Sequence, residues 1–284
     1  MKNWLGSYIT ATVVDVKTDY YFLQSGDDVF RMLKSEGAYS LGDSVSGFAY
    51  EDRLKKNWLT TKEPAATMAH FGWGVVTEVR RDLGVFVDIG LPGKDMVVSV
   101  DELQIPAAQW PKVGDQLYVK LTKDNKNRLW AHLAWHEDFW QLANPAFDNM
   151  KNQELRGIIY RIREAGTFVY LPDKNMLGFI HPSELTGGLR IGQELTLRVI
   201  GFRSEDRVLY LSAKPRGFEM LGADGQMILA YLENMGGKMG LNDKSAPEEI
   251  KTVFGISKGQ FKKALGGLMK AGKVKQTQEG TELK

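Results

Sequence analysis

Five short runs of β-forming residues inside residues 155–214 leave this stretch few ways to fold. It reads LRGIIYRIREAGTFVYLPDKNMLGFIHPSELTGGLRIGQELTLRVIGFRSEDRVLYLSAK. The runs at 158–162, 167–171, 177–181, 195–200 and 207–212 are rich in Val, Ile, Leu, Phe and Tyr, and Gly, Pro, Asp, Asn and Ser clusters separate them. Short antiparallel strands are the expected outcome. Five of them in so few residues fit a small closed barrel. Side chains alternate along a strand, so Phe168 and Tyr170 face opposite to Val169 and Leu171, and Phe179 and His181 opposite to Ile180. With the aliphatic side filling the barrel, two Phe and a His are expected in solvent.

Leaving a ring outside forgoes burial on the order of 2 kcal/mol, and a base-stacking platform would account for that. The motifs agree: G-x-F-V at Gly166 to Val169, G-F-I-H-P-S-E-L at Gly178 to Leu185, Gly192-Gln193, and V-L-Y-L-S at Val208 to Ser212. In this order they resemble the repeat of ribosomal protein S1, an oligonucleotide-binding barrel. The resemblance implies RNA contacts at Phe168, Phe179 and His181 and at a basic residue of the fifth strand. That position falls on Arg207, or on Val208 or Tyr210 if the count is anchored at Leu211-Ser212.

The pattern recurs upstream. Residues 72–133 carry Gly84-Val85-Phe86-Val87, Gly114-Asp115 and a fifth strand opening at Arg128, with Val97 and Ser99 where Phe179 and His181 would stand. Phe86 and Arg128 are its candidate contacts. Residues 7–62 form a degenerate copy, with strand-like runs at 8–16, 20–23, 29–33 and 44–50, Gly42-Asp43, and Tyr21 in the place of Phe168. The expected fold is mainly β: three tandem five-stranded barrels of oligonucleotide-binding type at 1–66, 67–136 and 153–215. A linker, 137–152, holds Phe139, Trp140, Leu142 and Phe147, which are read as packing barrels two and three together.

After Pro215 the apolar period becomes helical. Met227, Ile228, Tyr231, Leu232 and Met235 mark one helix. Ser245 with Glu248 caps a second, ending at Gly255, and Ser257 with Gln260 caps a third that buries Phe261, Ala264, Leu265, Leu268 and Met269. A hairpin follows, and the whole of 216–284 reads as an α+β winged helix. From Lys251 to Lys284 eight basic residues meet two acidic ones. Lys258, Lys262, Lys263, Lys270, Lys273 and Lys275 are its candidate nucleic-acid contacts, weighed against a solvated lysine face or a partner-docking surface.

Composition bounds the function. There are no cysteines, so disulfides and thiolate metal sites are excluded, and the net charge is only +2. Its distribution is uneven: basic minus acidic residues are 8 − 9 in 1–66, 8 − 11 in 67–148, 10 − 7 in 149–215 and 11 − 8 in 216–284. No leader-like or membrane-length apolar run is present, so a cytoplasmic protein without a membrane partner is expected. His132 and His136 lack a third ligand, His181 lacks an assigned nucleophile, and Gly236-Gly237-Lys238-Met239 is not a phosphate loop. No metal, cofactor, small-molecule substrate or catalysis is expected. Three such barrels before a winged helix resemble the conserved virulence factor B family of bacterial RNA-binding proteins. The resemblance implies a non-catalytic binder of single-stranded RNA acting on RNA stability, translation or processing, with ribosomal or RNA-processing proteins as further partners. The alternative is a protein-docking adaptor on ribosome or ribonuclease assemblies.

Overall fold

A computed structural model describes residues 3–147, 150–185, 187–203, 205, 207–214 and 222–284. The chain forms two compact units, residues 1–213 and 214–284.

The first unit holds three closed barrels. Barrel one is β1 (Ser7–Val16), β2 (Tyr20–Ser25), β3 (Asp28–Leu33), β4 (Ser44–Glu51) and β5 (Asn57–Thr60). Barrel two is β6 (Gly72–Arg80), β7 (Gly84–Asp88), β8 (Met96–Ser99), β9 (Gln116–Lys123) and β10 (Leu129–Leu133). The short helix α1 (His136–Leu142) leads into barrel three: β11 (Glu154–Arg163), β12 (Gly166–Leu171), β13 (Met176–Ile180), β14 (Glu194–Arg203) and β15 (Val208–Ser212). In each barrel the first three strands form a meander, and the fifth closes it by pairing parallel to the third and antiparallel to the fourth.

The repeated glycine marks have one structural cause. Gly42, Gly114 and Gly192 all adopt φ between 80° and 90°, a region that favours glycine. There the dipeptide turns back onto the first strand with two backbone hydrogen bonds. Gly42 N–H donates to Val13 O and Val13 N–H to Asp43 O; the same reciprocal pair links Gly114-Asp115 with Val76 and Gly192-Gln193 with Ile159. Asp43, Asp115 and Gln193 then accept the N–H of the residue three positions earlier. Just beyond these contacts a β-bulge shifts the register of each first strand, between Val13 and Asp15, Val76 and Glu78, and Ile159 and Arg161. A bulge strengthens the twist a small barrel needs to close.

Barrel one has its own cluster of Leu23, Phe30, Met32 and Leu59, but its Phe48 and Tyr50 belong to the continuous apolar cluster that barrels two and three share. Arg190 makes a two-pronged ion pair with the buried Asp115, at 2.7 and 2.9 Å, joining the glycine turns of barrels two and three. Burial keeps such a pair from the screening that weakens surface bridges.

In the second unit α2 (Ala223–Asn234), β16 (Lys238–Met239), α3 (Pro247–Phe254), α4 (Lys258–Lys270), β17 (Val274–Gln276) and β18 (Thr281–Leu283) surround Ile228, Leu232, Ile250, Phe261, Leu265 and Leu268. The Ser257–Gln260 capping box is present. The other differs: Ala246 is the N-cap of α3, with Glu249 accepting its N–H at 3.2 Å, while Ser245 accepts the N–H of Asn242. Pro247 at the first helical position sets that start one residue later than Ser245 would. Met269, expected inside, is 40% exposed, and β16 adds a third strand beside the hairpin. The change of pattern at Pro215 lies outside the described residues.

Candidate nucleic-acid interface

Register brings Phe168, Phe179 and Tyr210 onto three neighbouring strands: Phe168 pairs with Phe179 across β12 and β13, and Phe179 with Tyr210 across β13 and β15. Their rings meet edge to face at 5.2 and 5.9 Å, a favourable aromatic geometry. They are half-buried rather than fully in solvent, because each shields the edge of the next. Gly166 makes this packing possible: with φ of 151°, a Cβ there would lie 2.3 Å from Cζ of Phe179.

The remaining predicted residues of barrel three take other positions. His181 lies beyond β13 as the N-cap of a short 3-10 turn. Its Nδ1 accepts the N–H of Ser183 at 3.2 Å and is 2.7 Å from Ser183 Oγ. With Nδ1 accepting, the neutral ring carries its proton on Nε2. Arg207 precedes β15 in a left-handed turn, φ 52°, and its guanidinium lies over the Trp140 ring at 5.2 Å. Lys55 and Asn127 occupy the same left-handed position in barrels one and two. The place that Arg128 holds in barrel two, two residues before Trp130, falls on Val208 in barrel three, and Arg207 stands one residue earlier, in the turn.

The same register identifies equivalent positions elsewhere. In barrel two they are Phe86, Val97 and Trp130. Arg128 bonds Asp124 through Nε at 2.7 Å and lies over Trp130. Backbone donors headed by Arg128 N–H hold the Asp124 carboxyl down to about 2. Val97, Arg128 and Trp130 line a cavity with Leu5, Glu51 and Lys55 of barrel one, so this face meets the neighbouring barrel.

In barrel one the strand register places Phe22, not Tyr21, in the position of Phe168. Tyr21 points inward and is buried. Arg31 stands where Phe179 does, its guanidinium 5.6 Å from the Phe22 ring centre, and Trp58 stands where Tyr210 does. Tyr20 occupies the Gly166 position, with its ring 5.7 Å from Trp58. Replacing phenylalanine by arginine on the third strand leaves room for a ring where barrel three requires glycine.

The linker supplies what motif reading could not place. Phe139, 2% exposed, stacks on Tyr160 at 4.0 Å and contacts Trp73, Tyr118 and Tyr170. As expected, it joins barrels two and three; Phe147, read the same way, is instead 54% exposed. His136, four positions after His132, adds to the platform: its Nδ1 is 2.9 Å from the Tyr160 hydroxyl and its ring meets Phe168 edge to face at 4.8 Å. Burial, with Arg161 in support, pushes the His136 pKa down, and burial pushes that of Tyr160 up. His132 instead sits 3.2 Å from Glu102. Among the described residues no cluster of three or more potential metal ligands occurs, and no helix is long and apolar enough to cross a membrane.

On the second unit Lys262, Lys263, Lys270 and Lys275 are exposed and Lys258 and Lys273 half-buried. Lys275 pairs with Glu282, Lys262 approaches Asp243 at 3.9 Å, and Lys258 donates to Lys244 O.

Residues 71–132 match the family described as CvfB first S1-like domain, 139–215 the second domain of virulence regulatory factor CvfB, 226–283 the CvfB-like winged helix domain, and 5–62 the S1 domain. Among curated proteins, the uncharacterized protein YitL of Bacillus subtilis is 37% identical, covering 95% of this chain and 91% of its own. Conserved virulence factor B of Staphylococcus epidermidis is 32% identical, covering 98% and 97%. The crystal structure of a multidomain protein with nucleic acid binding domains from Streptococcus pneumoniae covers 100% of both chains at 58% identity, with a TM-score of 0.76.

Proposed function

This chain belongs to the conserved virulence factor B family, and from that premise we propose that it binds single-stranded RNA without chemical turnover. Its domains are of nucleic-acid-binding type. The observation that carries the finer reading is the run of Phe168, Phe179 and Tyr210 on adjacent strands, edged by His136. Rings held this way stack on any base that is splayed from a helix, so binding favours single strands and discriminates weakly among sequences. Phosphates go to the basic residues around the platform and to the lysines of the winged helix, Lys263 and Lys270 foremost. A role in RNA stability, translation or processing follows for a protein that holds transcripts without cutting them.

The test is fluorescence anisotropy of the full chain with labelled single-stranded RNA and with duplex of the same sequence, at two salt concentrations. Single-strand preference with salt-dependent affinity is expected; equal or tighter duplex binding overturns the reading. Removing 217–284 should weaken binding to long RNA more than to an oligomer filling one barrel, and flatten the salt slope by roughly 0.7 for each phosphate no longer neutralised.

A further inference from the structure

Between barrels two and three, beside the Phe168 platform, a cleft opens whose chemistry differs from that of the packed surfaces around it. Its floor is apolar, formed by Ile105, Leu133, Ile162 and Ile191, and its volume is about 130 Å³. That is well below the roughly 300 Å³ at which pockets for drug-sized ligands begin, so it suits one planar ring. Trp135, 49% exposed, lines it, as do Arg161 and Arg163 of β11. Neither arginine forms an ion pair with a described residue.

Three details connect this cleft to the platform. Arg161 pairs with Phe168 across β11 and β12. His136 and Tyr160 line the cleft and also contact Phe168, at 4.8 and 6.2 Å. The position of Arg161 is acidic in the other barrels, Asp15 opposite Phe22 and Glu78 opposite Phe86, while that of Arg163 is basic in barrel two also, at Arg80, so the second cation, Arg161, is what is particular to barrel three. The carboxylate in the cleft, Glu102, is already engaged by the N–H of Leu133 at 2.7 Å and by His132.

We propose that the cleft is a single-nucleotide subsite: one base of the strand stacked on Phe168 and Phe179 leaves the platform past His136 and lies on the apolar floor against Trp135. The flanking phosphates rest on Arg161 and Arg163. A base of the same strand is the occupant because the wall is continuous with the stacking face, the space takes one ring, and Arg161 and Arg163 carry charge of the sign phosphate needs. The inference rests on the RNA reading above.

The experiment uses the full chain and a set of single-stranded RNAs, each with 2-aminopurine at one position, whose fluorescence reports stacking. In the wild-type chain one position beyond the platform bases should respond. Trp135→Ala should abolish that response alone and lower affinity about tenfold, within the range of one stacked base; Trp135→Phe should restore it. Arg161→Ala with Arg163→Ala should lower affinity while reducing the salt slope. Melting curves on the same samples distinguish a missing binding group from a damaged fold, and Trp135, exposed, should change little there. If Phe168→Ala weakens binding while the cleft variants leave affinity and every fluorescent position unchanged, the subsite is refuted and the RNA reading stands. If Phe168→Ala and Phe179→Ala are also without effect, both fall.

Discussion

Barrels two and three share strand order, bulge and glycine turn, yet use the same outer face in opposite ways. In barrel three Phe168, Phe179 and Tyr210 form an open row with α1 along one edge. In barrel two the corresponding Val97 and Trp130 line a cavity against Leu5 and Lys55 of barrel one. A small barrel has only so much surface, and a neighbour that covers the third strand removes the reason for an aromatic there. The face is therefore assigned by position in the array rather than by the fold, and substitutions at four places would break or sharpen that account.

The largest effect is expected at the joint. Phe139→Ala removes a fully buried ring held by four aromatic neighbours and should destabilise the first unit by roughly 3–5 kcal/mol, read as a lower urea midpoint; an unchanged midpoint would mean that α1 does not tie the barrels together. Next come Phe168→Ala and Phe179→Ala, each weakening single-strand binding by about 1–3 kcal/mol, whereas Val97→Ala should leave affinity alone. Comparable losses at Val97 would erase the distinction between the two faces. Barrel one is an intermediate case, with Phe22, Arg31 and Trp58 in the same places, so Phe22→Ala or Trp58→Ala should weaken binding of long RNA by about 1 kcal/mol and leave short oligomers unaffected. The smallest effect is a pH dependence from His136. Its pKa is lowered in the folded chain, so the unfolded chain takes up the proton first, near 6.5. Its contribution to stability is complete above that pH and declines as pH falls toward the folded value. Melting temperature between pH 7.5 and 5.5 should fall less steeply in His136→Gln than in the wild type.

Much of this was legible in the chain because certain residues answer to local geometry. Gly42, Gly114 and Gly192 mark a turn that needs positive φ, and Ser257 with Gln260 is a capping pair three residues apart; neither depends on distant neighbours. What escaped depends on pairing. The residue paired with Arg31 of the third strand is Phe22, so the aromatic of barrel one that matches Phe168 is Phe22 rather than Tyr21. Arg207 spends its residue in a left-handed turn, a feature of backbone rather than composition. β5 lies at Asn57–Thr60 and β16 is two residues long, too short for any period to register. The share of His136 in the platform was invisible for another reason: it reaches Phe168 across 32 positions of sequence by way of a helix with no motif of its own.

The stacked rings of the linker also bear on how the array comes apart. Phe139 contacts Trp73 and Tyr118 on one side and Tyr160 and Tyr170 on the other, so neither barrel two nor barrel three can open without exposing aromatic surface that belongs to both. In a row of repeats such nearest-neighbour terms decide how many modules melt together. Barrels two and three should accordingly form one cooperative unit, their amides exchanging with solvent through a common opening.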